Sequence, residues 1–171
     1  RYQLEPEIFS IPMLENWIKS GLDKNAPGIH LKLETGMNRL GFQEKDLGAL
    51  IQTIQQNPAI KICSAFSHLA ASESEASDDF SRKQASLFEK MVQTLQESLG
   101  ITIDRHLVNS SGIARFPEYH YEMVRLGIGI YGHESSGHIQ DALMPVFSLK
   151  ARLSQIKEVA AGESIGYGRK G

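Results

Sequence analysis

The sequence predicts an α/β fold: the C-terminal portion of a (β/α)8 TIM barrel followed by the start of an all-β domain. Short apolar runs alternate with longer helical patterns over roughly the first 130 residues, which is typical of a parallel sheet with crossover helices. A polar stretch follows, and then an alternation of apolar and polar residues that is typical of an exposed strand. The 171 residues are too few for a whole barrel of about 250.

Five strands and three longer helices are expected in the barrel part. The third helix is predicted to begin at Asp78, because carboxylates favour the N-terminal end of a helix dipole. It should end before Gly100, since glycine suits a helix C-terminus. Its apolar stripe, expected to be core, comprises Phe80, Phe88, Met91, Leu95 and Leu99. The strands are predicted over 6–10, 28–34, 61–68, 104–109 and 123–131, and the first two helices over 11–21 and 43–56.

A change in residue pattern predicts a domain boundary near residue 140. Residues 1–140 are expected to form the partial barrel that carries the binding site, and 141–171 the start of a C-terminal β-domain. The main signal in the second part is 146–159, where apolar and polar residues alternate. The chain begins with Arg1 rather than Met, so we expect it to start inside a longer protein.

Composition excludes several functional classes. A formal net charge of −2 gives no electrostatic basis for binding nucleic acid or an anionic membrane, and no apolar run is long enough to span a bilayer. One cysteine, Cys63, cannot form an internal disulfide, which suits the reducing cytoplasm. The six histidines lack the spacing of metal ligands, so no metal site is predicted.

Apolar and polar residues alternate along the second predicted strand. Ile29, Leu31 and Leu33 share one face, which suits packing against helices. The opposite face should therefore point into the barrel, where a lysine needs a partner or a modification. This face carries His30, Lys32 and Glu34.

Polar residues follow several strand ends, at the mouth where barrel enzymes keep their active sites. His68 ends one strand, and Asn109 and Ser110 lead from the next into a short helix. Small hydroxyl residues at a helix start, and glycines such as Gly127, let a phosphate approach the backbone closely. The residues alone thus favour a phosphate-bearing ligand at the barrel mouth. Ser110 as a plain N-cap and Gly127 as a packing glycine remain open alternatives.

Four segments together resemble alanine racemases, which are pyridoxal-phosphate enzymes of the barrel fold. Their order and spacing agree along essentially the whole chain. The last two look most like the racemase part of a bifunctional UDP-N-acetylmuramoyl-tripeptide–D-alanyl-D-alanine ligase/alanine racemase. The segments are HLKLETGMNRLGF (30–42), FSHLAASE (66–73), HLVNSSGIARFPEYHYEMVRLGIGIYG (106–132) and GESIGYGRKG (162–171).

The resemblance implies interconversion of L- and D-alanine for peptidoglycan precursors, by a cytoplasmic homodimer whose sites are shared between subunits. Tyr167 matches the family's tyrosine base, which acts in the partner's barrel. Arg39 matches an arginine near the cofactor that lowers the tyrosine pKa. Lys32 matches a lysine that is often carbamylated and would then orient Arg39.

The resemblance also implies a set of cofactor contacts. Arg125 matches the arginine that faces the pyridine nitrogen and, because a guanidinium does not give up its proton, leaves that nitrogen unprotonated. The remaining matches surround Arg125 or cradle the phosphate, although a histidine at a strand end is also often a packing residue. They are His68, His106, Asn109, Ser110, Gly127 and Ile128.

One departure from the family concerns the lysine that binds the cofactor covalently. That lysine lies near the start of the barrel, in a segment with no counterpart here, so we expect this chain alone to be inactive and its boundary to explain the absence. Two alternatives remain: a same-fold racemase for serine or a broad range of amino acids, and a non-catalytic fragment that binds a phosphate ligand. An open half-barrel should also associate or be marginally stable, because strand edges and apolar faces lie uncovered.

Overall fold

A computed structural model describes residues 4–21 and 26–169, and its centre is one parallel sheet. The sheet has four strands in the order β1–β2–β3–β4. Each strand is followed by a helix, so the predicted alternation is confirmed. The elements are β1 (Glu7–Ile8), α1 (Ile11–Lys19), β2 (Ile29–Lys32), α2 (Leu47–Gln55), β3 (Ile62–Phe66), α3 (Asp78–Leu99), β4 (Asp104–His106) and α4 (Ser110–Arg115).

Local sequence sets the helix ends. The Ser10 side chain accepts a hydrogen bond from the Met13 N–H at the start of α1, and Asn109 does the same for Gly112 at the start of α4. Gly100 ends α3 in a left-handed conformation with φ of 66°, which costs glycine little. The predicted bounds of α3 are therefore confirmed.

The helices pack against one face of the sheet. Ile29, Leu31 and Leu33 are buried there, which confirms the parity expected for β2. Phe88 and Met91 of α3 are buried in the same core, as is Leu95. Phe80 was predicted to join this stripe, and that is wrong: it is 42% exposed and packs over the loop after β2, at Gly36, and not in the core.

The opposite face of the sheet carries polar and aromatic side chains in two rows. Parallel register places Lys32 opposite Phe66, and Phe66 opposite His106. One step earlier along the strands, His30 pairs with Ser64. Side chains two residues apart in a strand share a face, so both rows point to the same side. In a barrel this face is the interior.

The strand predicted over 123–131 is wrong in the described residues. Residues 123–127 have no strand pairing, and a single turn of 3-10 helix covers Ile128–Tyr131. One strand-like hydrogen bond joins the Arg125 N–H to the Val108 carbonyl. Glycine at 127 and 129 weakens a strand, and no further strand lies beside this segment in the described residues.

The strand predicted over 146–159 is also not formed: the structure assigns no secondary structure there, and its side chains are exposed. A strand needs a partner to bond its backbone groups, and the described residues offer none. The domain boundary near residue 140 stays a prediction. Within the described ranges, no helix has the length and apolarity needed to cross a membrane.

Truncating the core beneath the polar face should weaken the fold. Leu31 is fully buried, so Leu31→Ala should lower the free energy of unfolding by about 2–5 kcal/mol. Leu149, which is 95% exposed, supplies the control Leu149→Ala, for which we expect no measurable change. Urea titration followed by circular dichroism measures both. Equal unfolding midpoints for the two variants would contradict the burial of Leu31.

Candidate active site

Arg125 is the most extensively bonded side chain on the polar face. Its Nη1 donates to His106 Nδ1 (2.6 Å) and to the His106 carbonyl (2.9 Å). Its Nη2 donates to the carbonyls of Ser67 (2.5 Å) and Leu107 (3.0 Å), with His68 Nδ1 at 3.4 Å. These contacts hold both terminal nitrogens at the carboxyl ends of β3 and β4. No acceptor from the described residues meets Nε, which leaves one guanidinium donor for a ligand.

Arg125 is positively charged, whereas the two histidines beside it are neutral. Burial lowers the Arg125 pKa to about 10, so the guanidinium stays protonated at neutral pH. Burial, and then the Arg125 charge, lower the pKa of both His68 and His106 to about 4. Both rings are therefore neutral, which is the form in which Nδ1 can accept from a guanidinium. The site thus concentrates positive charge on Arg125.

The Phe66 ring supports this arrangement from below. It stacks on the His106 ring with centroids 4.9 Å apart and planes 3° from parallel, a separation close to the spacing of neighbouring strands. Lys32 Nζ lies 4.6 Å from the Phe66 centroid, and Arg125 Cζ lies 5.3 Å from it. The row Lys32–Phe66–His106 is therefore one packed layer.

Lys32 is 7% exposed. Burial lowers its pKa, and the positive charges of Arg125 and Arg39 lower it further against the opposing effects of Glu7 and Glu34. The expectation that this lysine faces the interior is confirmed. A lysine with a lowered pKa is more often an uncharged amine, which is the nucleophilic form.

A cavity of about 420 Å³ opens beside the guanidinium. On its floor, the Ser110 hydroxyl oxygen accepts from the N–H groups of Gly127 (2.9 Å) and Gly129 (3.0 Å). A Cβ at Gly129 would lie 2.7 Å from the end of the Leu126 side chain and 3.3 Å from Ser110 Oγ, so a larger residue would require Leu126 to move. The cavity is lined by His68, Glu73, Asn109, Ser110, Ser111, Gly127, Ile128 and Ser135.

Asn109 orders one wall of this cavity. Its side-chain oxygen accepts from Gly112 N–H (3.0 Å) and from the Ser72 hydroxyl (2.7 Å). The loop after β3 and the start of α4 are thereby tied together. Five of the sequence-predicted site residues line this cavity: His68, Asn109, Ser110, Gly127 and Ile128. Arg125 adjoins it through His68, with Nη2 3.4 Å from His68 Nδ1, and His106 lies on the other side of Arg125.

Arg39 lies in the loop after β2. Glu34 organises this loop by accepting from the Gly36 and Arg39 N–H groups, and these backbone bonds lower the Glu34 pKa despite its burial. Gly41 closes the loop with φ of 133°, where a Cβ would lie 2.7 Å from Glu34 N. The Arg39 side chain is exposed and lines a separate cavity of about 200 Å³.

Tyr167 is the predicted site residue that the fold does not bring to this cavity. Its side chain is fully exposed, and it is not among the lining residues. Of the matching GYGRKG segment, Lys170 and Gly171 lie outside the described residues. Its predicted action in a partner's barrel stays a prediction.

Residues 1–135 match the family model of the alanine racemase N-terminal domain. The chain belongs to the alanine racemase family. It is 36% identical over 143 residues to an alanine racemase from Nostoc sp. (strain PCC 7120), covering 82% of this chain and 36% of that protein. It is 32% identical over 171 residues to the alanine racemase of Syntrophobacter fumaroxidans, covering 98% of this chain and 45% of that protein.

Solved structures of alanine racemases share the fold. The enzyme from Bartonella henselae, with covalently bound pyridoxal phosphate, superposes with a TM-score of 0.76 and 28% identity, over 98% of this chain and 45% of that one. The Streptomyces coelicolor A3(2) enzyme gives 0.78 and 25%, over 98% and 46%. The parallel sheet is thus part of a TIM barrel, as predicted, and the chain spans less than half the length of these racemases.

Sequence reasoning missed three features of the site. Ser64 and Phe66 alternate on the interior face of β3, and the two-residue period that identified Lys32 would have found them. Glu73 also lines the cavity, but it lies in a loop without periodicity.

Among the described residues, no group of three or more His, Cys, Asp or Glu side chains could hold a metal ion.

The neutral histidines should make stability depend on pH. Because His106 has a pKa of about 4 when folded and about 6.5 when unfolded, the unfolded chain binds more protons between these values. The free energy of unfolding should therefore fall as the pH drops from 6.5 to 4, by at most about 3 kcal/mol for this ring. Urea unfolding at a series of pH values measures it.

His106→Gln should reduce that slope by about half, since its ring is gone while His68, whose pKa is also about 4, still titrates. His133→Gln is the matched control: this ring is exposed and solvated in both states, so the slope should persist. A wild-type unfolding energy that stays constant from pH 6.5 to 4 would show that the buried rings are not held neutral.

Proposed function

We propose that the protein to which this chain belongs is an alanine racemase that interconverts L- and D-alanine with pyridoxal phosphate. The observation that carries the proposal is the anchored guanidinium of Arg125, whose terminal nitrogens are fully engaged while Nε lacks an acceptor from the described residues. A rigid donor beside a phosphate-sized cradle suits an aromatic ring nitrogen and a phosphate on one ligand.

The residues present fit pyridoxal phosphate. Arg125 would donate to the ring nitrogen and keep it unprotonated, because a guanidinium retains its proton. The Ser110 hydroxyl already accepts two N–H groups, so its own hydrogen is available to a phosphate oxygen. The backbone N–H of Ile128 would bond the same phosphate, next to Gly127, whose own N–H is donated to Ser110 Oγ. When bound, the cofactor supplies an electron sink for removal of the amino-acid α-proton.

Two further groups act on the substrate side in this proposal. Tyr167 is the base on one face of the substrate and reaches the barrel of a second subunit, which agrees with its full exposure in one chain. Arg39 contributes a fixed positive charge to the same site. The working form is then a homodimer with sites shared between subunits.

In this proposal the enzyme acts in the cytoplasm and supplies D-alanine for peptidoglycan. The proposal also includes a ligase domain fused to the racemase in the full-length protein. The lysine that binds the cofactor is implied by the resemblance to lie outside this chain. Tests of activity therefore use the full-length protein, and the 171 residues alone should not racemise alanine.

Racemisation is tested by the decay of circular dichroism of L- or D-alanine in the presence of the full-length protein and pyridoxal phosphate. We expect both enantiomers to lose optical activity. Serine and lysine, run in parallel, decide between an alanine enzyme and one of broader range. Constant optical activity with all three amino acids would overturn the proposal.

Arg125→Met should lower the rate of alanine racemisation by roughly 10- to 100-fold, because a charged hydrogen-bond donor worth about 1.5–3 kcal/mol is lost. Arg82→Met is the matched control, since Arg82 forms an exposed ion pair with Glu118 and such pairs contribute little. Equal rates in the two variants would exclude the role given to Arg125.

Lys32 is proposed to carry a carbamate. Its neutral amine would attack carbon dioxide, forming the N–C bond and releasing one proton, and burial lowers its pKa toward that neutral form. In 13C-bicarbonate, 13C NMR should show a carbamate carbon that disappears in Lys32→Arg. The exposed Lys83 gives the control Lys83→Arg. A signal that survives Lys32→Arg, or no signal at all, would contradict this assignment.

A further inference from the structure

A line of hydrogen bonds continues behind Arg125, away from the cavity. His106 Nε2 lies 2.8 Å from Ser64 Oγ, and Ser64 Oγ lies 2.6 Å from His30 Nδ1. His30 Nε2 lies 3.1 Å from Glu5 Oε2. With the 2.6 Å contact of Arg125 and His106, five side chains form one unbroken series. We call it the Ser64 network.

The strand register explains why these side chains meet. His30 and Ser64 lie opposite each other on β2 and β3. On β4, Asp104 lies opposite Ser64, and His106 follows two residues later. All three share the interior face. Ser64 is 1% exposed and His106 is 6% exposed, so unpaired polar atoms there would be costly. A hydroxyl that bridges two rings satisfies both.

With His30 as a neutral imidazole, the two ends of the network fix the direction of every hydrogen bond in it. A guanidinium only donates, so His106 Nδ1 must accept. A neutral imidazole then carries its hydrogen on Nε2, and that hydrogen goes to Ser64 Oγ. The Ser64 hydroxyl hydrogen is left for His30 Nδ1.

The far end imposes the same direction. Since His30 Nδ1 accepts from Ser64, its hydrogen lies on Nε2 and goes to Glu5, and an ionised carboxylate only accepts. The reverse arrangement would place an Nδ1–H of His106 against the N–H of Arg125 at 2.6 Å, two donors facing each other. A protonated His106 would create the same conflict and add a second positive charge.

We propose that His30 and Ser64 are positioning residues for Arg125, acting through His106, with Glu5 as the exposed acceptor at the end of the network. Their network locks His106 as the Nε2–H tautomer and so presents a permanent acceptor to the guanidinium. The step from this lock to catalysis rests on the function proposed above, because it concerns the angle at which Arg125 meets the ring nitrogen. The lock itself is a property of this chain without cofactor.

The tautomers are read by long-range 1H–15N NMR on the full-length protein labelled with 15N-histidine, without cofactor and at neutral pH. We expect His30 and His106 both to carry hydrogen on Nε2. Glu5→Ala should leave the His30 tautomer unchanged, because Ser64 still donates to Nδ1. Ser64→Ala combined with Glu5→Ala should release His30 into a mixture of tautomers. An Nδ1–H form of either ring in the wild type, or release of His30 by Glu5→Ala alone, would overturn the network.

The second readout is the racemisation rate of the full-length protein. Ser64→Ala should lower kcat roughly tenfold, the equivalent of one buried hydrogen bond, and Ser64→Thr should restore most of it by keeping the hydroxyl. Ser81→Ala is the matched control, because Ser81 is equally buried and its hydroxyl has no hydrogen-bond partner in the structure. Equal rates for Ser64→Ala and Ser81→Ala would remove the positioning role.

The NMR result stands whether or not the protein racemises alanine, so failure of the network and failure of the proposed function are distinguishable.

Discussion

The two-residue period of the parallel strands is the constraint on which the rest of this structure depends. One face of β2 and β3 is apolar and packs against the helices. The other face must therefore carry whatever alternates with those residues, and here it carries Lys32, Phe66 and His106 in one row. A slip of one residue would exchange the two faces. The strand register that buries the apolar core therefore also places the site residues on the opposite face.

Electrostatics follows from that placement. The interior face sits in a setting with little water, where a cation is disfavoured unless it is bonded. Arg125 remains charged because five acceptors surround its terminal nitrogens, whereas His68 and His106 give up their protons. Burial and the neighbouring positive charges lower the pKa of Lys32 as well. Burial and, after it, the charge of Arg125 therefore set the protonation of these neighbours, and the proposed cofactor chemistry uses a cationic Arg125 beside neutral histidines.

The alanine racemase relatives extend over more than twice the length of this chain. This chain holds the packed layer Lys32–Phe66–His106, the residues proposed to bind a phosphate, and the Ser64 network on the other side of Arg125. Tyr167 is outside this set in a single chain. The proposed division of the site between subunits gives that exposure a function, because a base on the opposite face of the substrate must come from another element.

The sequence alone determined the alternation of strands and helices, the ends of α3 and the inward parity of Lys32, because these depend on local period and capping. It failed for 123–131 and 146–159, where apolar alternation predicted strands that have no partner in the described residues; pairing is a tertiary property. Motif matching also indicated Arg125, His106 and Ser110. Only the tertiary structure decided that Ser64 and His30 connect to them, since residues 34 and 42 positions apart become neighbours through parallel register alone.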